Sequence, residues 1–220
     1  MKKLDIAKYI DHTVLKAEAS LNDIEKLCRE AVKYGFASVM VNPCNVADAA
    51  KATAGSFVKV GTVIGFPLGA NTTATKVFEA EDAVKNGANE VDMVINIGRF
   101  KEKKYDYVQE DIAAVARAMK GKALLKVIVE TGFLDDFEVT KVCEIVRDSG
   151  VDFIKTSTGF SQDGATVHNI QLMKSVLGDS LGIKASGGVR NYEQAVAMIE
   201  AGATRIGASA GIAIIQEAEE

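Results

Sequence analysis

A chain of 220 residues, 48% hydrophobic and 25% charged, has enough apolar material for a full core, and its formal net charge of −4 offers no basic excess for nucleic acid. Cys28, Cys44 and Cys143 are odd in number and far apart, which implies neither a disulfide framework nor a zinc knuckle and suits a reducing cytoplasm. The charged start Met1-Lys2-Lys3-Leu4-Asp5 lacks the apolar centre of a signal peptide, and no run approaches the roughly 18 apolar residues of a membrane span, so a soluble cytoplasmic protein without a membrane partner is expected.

Short β-rich runs alternate with longer helical patterns throughout. The runs fall near 8–12, 36–41, 57–64, 90–95, 123–129, 151–155, 181–185 and 203–207. Helical periodicity fills 20–34, 44–53, 72–86, 103–120, 135–149, 164–178, 191–201 and 208–217. Ser20 and Asn191 are suited to cap helix starts, and Gly35, Gly87, Gly150, Gly178 and Gly202 follow helical stretches as C-terminal caps do. Arg99-Phe100-Lys101-Glu102-Lys103-Lys104 reads as a solvated loop opening a helix. Eight strand–helix units, with no linker or composition shift, predict a parallel (β/α)8 TIM barrel forming a single domain over 1–220. The competing fold is an open doubly wound sheet, but no G-x-G-x-x-G follows the first strand.

Barrels of this kind carry their chemistry at the C-terminal ends of the strands, and strand parity sorts interior from exterior. In the fourth strand Val91, Met93 and Ile95 suit the helix-facing side, leaving Asp92, Val94 and Asn96 inward. In the fifth, Lys126, Ile128 and Glu130 point inward; in the sixth, Lys155 shares a face with Phe153; in the seventh, Lys184 shares one with Gly182 and Ser186. Lys59 in the third strand fits either face. Lys155, followed by Thr156-Ser157-Thr158-Gly159, has two readings: a side chain that snorkels to water, or a desolvated amine used as a nucleophile. The cluster of Asp92, Lys126, Lys155 and Lys184 likewise reads as a satisfied ion-pair network or as a device for keeping one amine neutral.

Thr158-Gly159, Ser186-Gly187-Gly188 and Gly207-Ala208-Ser209 end the last three strands, where glycine lets backbone N–H groups approach a phosphate. Arg190 could assist there or be a surface cation. His12 and His168 are the only histidines and lack metal-ligand spacing, so neither a metal nor another cofactor is expected. His168 suits an outer helix. For the first strand two readings stand: His12 lines the pocket mouth, or Asp11 caps the following turn.

The segments Tyr9-Ile10-Asp11-His12-Thr13, Glu90 to Asn96, Lys126 to Thr131, Asp152 to Gly159, Ile183 to Arg190 and Arg205 to Ser209 together resemble the deoxyribose-phosphate aldolase family, in order, from about residue 9 to residue 211. The resemblance implies a metal-free class I aldolase that reversibly cleaves 2-deoxy-D-ribose 5-phosphate to acetaldehyde and D-glyceraldehyde 3-phosphate in deoxyribonucleotide catabolism. It implies Lys155 as the Schiff-base lysine, Lys184 as the neighbour that lowers its pKa, and Asp92 as the proton relay. Gly159, Gly187, Gly188 and Ser209, with Thr158 and Gly207 beside them, are implied in phosphate binding. A homodimer or homotetramer is usual for the family.

Several positions depart from the family pattern. Ala210 stands where many relatives have a second serine, Ser186 where alanine is usual, Met40 where cysteine is common and Ala17 where proline is common. No tyrosine follows Tyr192, so a C-terminal tyrosine relay is not expected. Rival readings are another lysine-dependent sugar-phosphate aldolase with a ketone donor, and a catalytically silent sugar-phosphate binder.

Overall fold

The computed structural model describes residues 6–218. Eight strands, β1 (Ile10–Val14), β2 (Ser38–Val41), β3 (Lys59–Ile64), β4 (Glu90–Val94), β5 (Leu124–Ile128), β6 (Phe153–Lys155), β7 (Gly182–Ser186) and β8 (Arg205–Ala208), pair in parallel and in chain order. β8 pairs with β1 and closes the barrel, so no strand edge is left open. This is a (β/α)8 barrel, the architecture expected from the sequence. The open-sheet alternative is excluded by that last pairing.

Helices α1 (Leu21–Tyr34), α2 (Val46–Ala52), α3 (Thr73–Lys85), α4 (Ile97–Lys101), α5 (Tyr105–Met119), α6 (Asp136–Arg147), α7 (Val167–Leu177), α8 (Tyr192–Glu200) and α9 (Gly211–Glu217) lie between and after the strands. Their starts follow local chemistry. Ser20 and Asp23 form a capping box on α1, and Asp135 and Glu138 form one on α6. Gly35 ends α1 in the left-handed region at φ 75°. Among the described residues no helix is long and apolar enough to cross a membrane.

Two segments differ from the sequence reading. The charged stretch after β4 is not wholly loop: the Asn96 side chain accepts from the Arg99 N–H and starts α4. Asn96 is therefore a helix cap beyond the strand end rather than a barrel-facing side chain. The seventh helix starts at Val167 rather than 164, because Thr166 is extended and caps it, its side chain accepting from the Asn169 N–H.

The main apolar core lies between strands and helices, where Val91, Met93, Ile95, Leu125, Val127, Val129 and Ile183 are buried as parity requires. Inside the barrel the β1–β3 side is apolar, with Leu15, Met40 and Val63 packed together beside Phe66. Gly61 makes room for Met40, since a Cβ there would overlap its sulfur. Elsewhere the interior holds the buried charges Asp11, Glu90, Asp92, Lys126, Lys155 and Lys184. Lys59 lies at the open start of β3 and is exposed.

Candidate active site

Parallel register places Asp92 opposite Lys126, and Lys155 opposite Lys184. Asp92 is fully buried at the centre of this group. Its Oδ1 accepts from Lys126 Nζ at 3.0 Å, and its Oδ2 accepts from both Lys155 Nζ at 2.9 Å and Lys184 Nζ at 2.7 Å. Burial alone would raise the Asp92 carboxyl, but the cations Lys126, Lys155 and Lys184 outweigh it and hold the group well below the usual carboxylate range. Burial is also the largest influence on Lys155. It brings the amine down to about 8, with Asp92 opposing the fall and Lys184 and Lys126 assisting it. A measurable fraction of Lys155 is thus the free, nucleophilic amine near neutral pH. The snorkelling alternative does not hold, because the Lys155 side chain is only 5% exposed.

Asp11 and His12 answer neither of the two readings. Asp11 lies inside the barrel, accepting from Ser38 Oγ at 2.7 Å and Arg205 Nε at 2.8 Å, with Lys184 Nζ 2.6 Å from its other oxygen. His12 faces outward, 2.8 Å from Glu30 and against the Phe36 ring. His168 lies on α7, exposed and 2.9 Å from Asp136. Among the described residues no group of three or more His, Cys, Asp or Glu side chains converges as metal ligands do.

The candidate anion turns occupy the C-terminal ends of β6, β7 and β8. Gly159, Gly187 and Gly188 adopt φ of 83°, 85° and 82°, where a side chain would be strained. Among the described residues the N–H groups of Gly159, Gly187 and Gly188 find no acceptor within the chain. Ala165 N–H bonds the Ser186 and Gly187 carbonyls at 3.1 and 3.0 Å, and Ser186 Oγ donates to the Ser157 carbonyl at 2.6 Å, so the β6 loop and the β7 turn are stitched together. Ser209 is exposed at the end of β8, and Ala210 precedes α9 without a side-chain cap. Gly207 also makes room for Lys184, since a Cβ built there would lie 3.0 Å from the Lys184 Cε.

Thr158 is also occupied. Its N–H and hydroxyl both donate to Glu130, whose carboxylate also accepts from Ser161 Oγ at 3.0 Å. Glu130 itself is buried and non-glycine at φ 55°, an uncommon backbone state. The sequence showed Glu130 pointing inward but gave it no task. Arg205, overlooked, was findable from parity, because Ile206 packs outward. Among the described residues the buried hydroxyls of Ser157 and Thr131 at the β6 and β5 ends have no hydrogen-bond partner, and no sequence signal marked them.

The DeoC/LacD family aldolase model matches residues 6–217. The chain belongs to this aldolase family. A deoxyribose-phosphate aldolase from Clostridium perfringens is 59% identical over 98% of this chain and 96% of its own length, and one from Enterococcus faecalis is 57% identical over 98% of each. Among solved structures, the aldolase QR15 superposes with a TM-score of 0.93 at 46% identity, covering 97% of this chain and 95% of its own. The tetrameric deoxyribose phosphate aldolase from Aeropyrum pernix gives a TM-score of 0.91 at 31% identity over 97% and 91%. This aldolase is therefore a lyase acting on a carbon–carbon bond, and the family resemblance read from its strand-end motifs holds. Its Lys155–Asp92–Lys184 cluster is buried, with Lys155 at the C-terminal end of β6, the end of the barrel where such enzymes place their chemistry.

Proposed function

We propose that this aldolase works without a metal, through a Schiff base on Lys155, and reversibly cleaves 2-deoxy-D-ribose 5-phosphate to acetaldehyde and D-glyceraldehyde 3-phosphate. The substrate is taken from the activity for which its relatives are named. The observation that carries the mechanism is the Lys155 amine, buried, lowered to about 8 and held on a carboxylate oxygen that Lys184 also occupies.

In the cleavage direction the free amine of Lys155 adds to the C1 aldehyde of the open-chain sugar. Asp92, directly or through water, takes the proton from the attacking nitrogen and passes it to the carbinolamine oxygen; a second proton, relayed from water along the same path, lets that hydroxyl leave as water and gives the iminium. The iminium accepts the electron pair of the C2–C3 bond as the C3 hydroxyl passes its proton through water to Asp92, which releases glyceraldehyde 3-phosphate, leaves an enamine and holds the proton that C2 then takes. Protonation of that enamine at C2 and hydrolysis give acetaldehyde and restore the amine. Lys184 keeps Asp92 ionised and adds repulsion against protonated Lys155.

The Gly159 and Gly187-Gly188 turns, with Ser209, supply N–H and hydroxyl donors to the remote phosphate, which orients the sugar for bond cleavage. Backbone donors take the place of the hydroxyl absent at Ala210. A role in deoxyribonucleotide catabolism and a homo-oligomeric state belong to the same proposal, the latter supported by the tetrameric Aeropyrum pernix relative. The test is release of glyceraldehyde 3-phosphate from 2-deoxy-D-ribose 5-phosphate in the presence of a chelator. Activity is expected in the parent and not in Lys155→Ala; wild-type activity in that variant would overturn the mechanism.

A further inference from the structure

Six buried or nearly buried charges in the barrel form a closed, alternating ring. Arg205 bonds Asp11; Asp11 lies 2.6 Å from Lys184; Lys184 lies 2.7 Å from Asp92; Asp92 lies 3.0 Å from Lys126; Lys126 lies 2.5 Å from Glu90; and Glu90 lies 2.9 Å from Arg205. Three cations and three anions cancel. Lys155 is a seventh group, tied to the ring only through Asp92. If Lys155 were protonated, the buried cluster would carry one uncompensated positive charge, which low-dielectric surroundings disfavour. We infer that Arg205 and Glu90, at the end of the barrel away from the substrate, are positioning residues that balance this ring and so make Lys155 the member that gives up its proton. The inference rests on the proposal that Lys155 is the nucleophile.

One further buried carboxylate, Glu130, lies outside the ring and pairs with none of its members. Glu130 on the β5 side makes no ion pair among the described residues, its oxygens being taken by Thr158 and Ser161. Lys59 is exposed at the start of β3. The β2 residues Ser38 and Met40 bring no charge. Arg205 is fixed where it is needed: Gly182 makes room for the Phe153 ring, and the guanidinium lies over that ring at 5.8 Å. Neither residue reaches the substrate end directly, since Lys126, Lys184 and Asp11 stand between them and Asp92.

The ring predicts shifts of opposite sign. Arg205→Gln leaves the ring at −1, so Lys155 should hold its proton to higher pH; Glu90→Gln leaves it at +1, so Lys155 should lose its proton at lower pH. The experiment is the pH dependence of kcat/KM and of borohydride-trapped imine in the parent, R205Q, E90Q, R205K and the E90Q/R205Q double variant, each checked for folding by circular dichroism. The midpoint should rise by about one pH unit in R205Q and fall by about one in E90Q. It should stay near the parental value in R205K and in the double variant, where the charge count is unchanged. If a single variant fails to fold, the double variant and R205K still decide the matter, because a midpoint displaced in both would contradict charge balance. Equal or same-direction shifts in R205Q and E90Q would also overturn it, since a purely structural role moves rate and stability without opposite pH shifts. Absence of trapped imine in the parent would instead overturn the Schiff-base proposal.

Discussion

Lys155 and Lys184 face each other across β6 and β7, and their Nζ atoms converge on one oxygen of Asp92, at 2.9 and 2.7 Å. Two ammonium groups sharing one carboxylate oxygen are close enough to repel each other. One of the two amines is better off neutral, and Lys155, the one at the substrate end, is brought down to about 8.

The first consequence is a pH profile. In the proposed mechanism the reactive species is the deprotonated amine, so kcat/KM should climb tenfold per unit below about pH 8 and level off above it, where Lys155 is already neutral. Initial-rate measurements from pH 5.5 to 9.5, at roughly constant ionic strength, check this. A profile flat through that range would contradict a titrating Lys155.

Stability and activity should separate at Lys155. Its burial as an ammonium is unfavourable, so Lys155→Met should abolish turnover yet raise stability by about 2 kcal/mol. Lys126→Met should do the reverse to stability. Its carboxylate partners Glu90 and Asp92 would be left under-compensated, at a cost of about 3–5 kcal/mol. Denaturant melts of both variants provide the comparison; a loss in both would contradict the assignment of Lys155 as the surplus charge.

Acid should destabilise the barrel through the same ring. The carboxyls of Asp92 and Asp11 are held low in the folded state, burial notwithstanding, by Lys126, Lys155 and Lys184 for the former and Lys184, Arg205 and Lys126 for the latter. A depressed carboxyl stabilises fully above its unfolded pKa near 4, and the contribution is lost as pH falls through the folded value. Thermal melts should therefore give a Tm that declines steadily below about pH 4.

How much of this was visible in the sequence depended on period and neighbours. Strand parity located Asp92, Lys126, Lys155 and Lys184 because each alternates with apolar residues that can only face helices. The same rule extends to Arg205, but β8 is short and has only Ile206 and Ala208 to set its phase. The split tasks of Thr158 and Gly207 were not legible, because loop hydroxyls and glycines look alike whether they hold a ligand or their own neighbours. Lys76 was equally hidden. It sits on a helix, where a lysine normally reaches water, yet it is fully buried against Asp111 at 2.6 Å.

Glu130 should hold the β6 loop rather than touch the reacting atoms. Removing its carboxylate in Glu130→Ala frees the Thr158 N–H and hydroxyl and Ser161, so KM for the phosphorylated sugar should rise about tenfold, with a smaller fall in kcat. Steady-state kinetics separate the two constants, and an unchanged KM would dismiss this role.

The two glycines of the β7 turn should differ in sensitivity. A Cβ on Gly187 would lie 2.9 Å from the Gly164 backbone in addition to the strain of positive φ, whereas one on Gly188 meets nothing within 4 Å. Gly188→Ala should therefore cost about 1 kcal/mol of strain, and Gly187→Ala should cost more and also displace the turn from the phosphate. Inorganic phosphate protection against thermal unfolding, compared between the variants, reads the difference.

The most direct test of the mechanism is peptide mass spectrometry after incubation with acetaldehyde and borohydride. One ethyl group on Lys155, absent from Lys184 and Lys126, is the predicted result. A folded protein that gives no adduct, or an adduct confined to another lysine, would contradict Lys155 as the Schiff-base nucleophile.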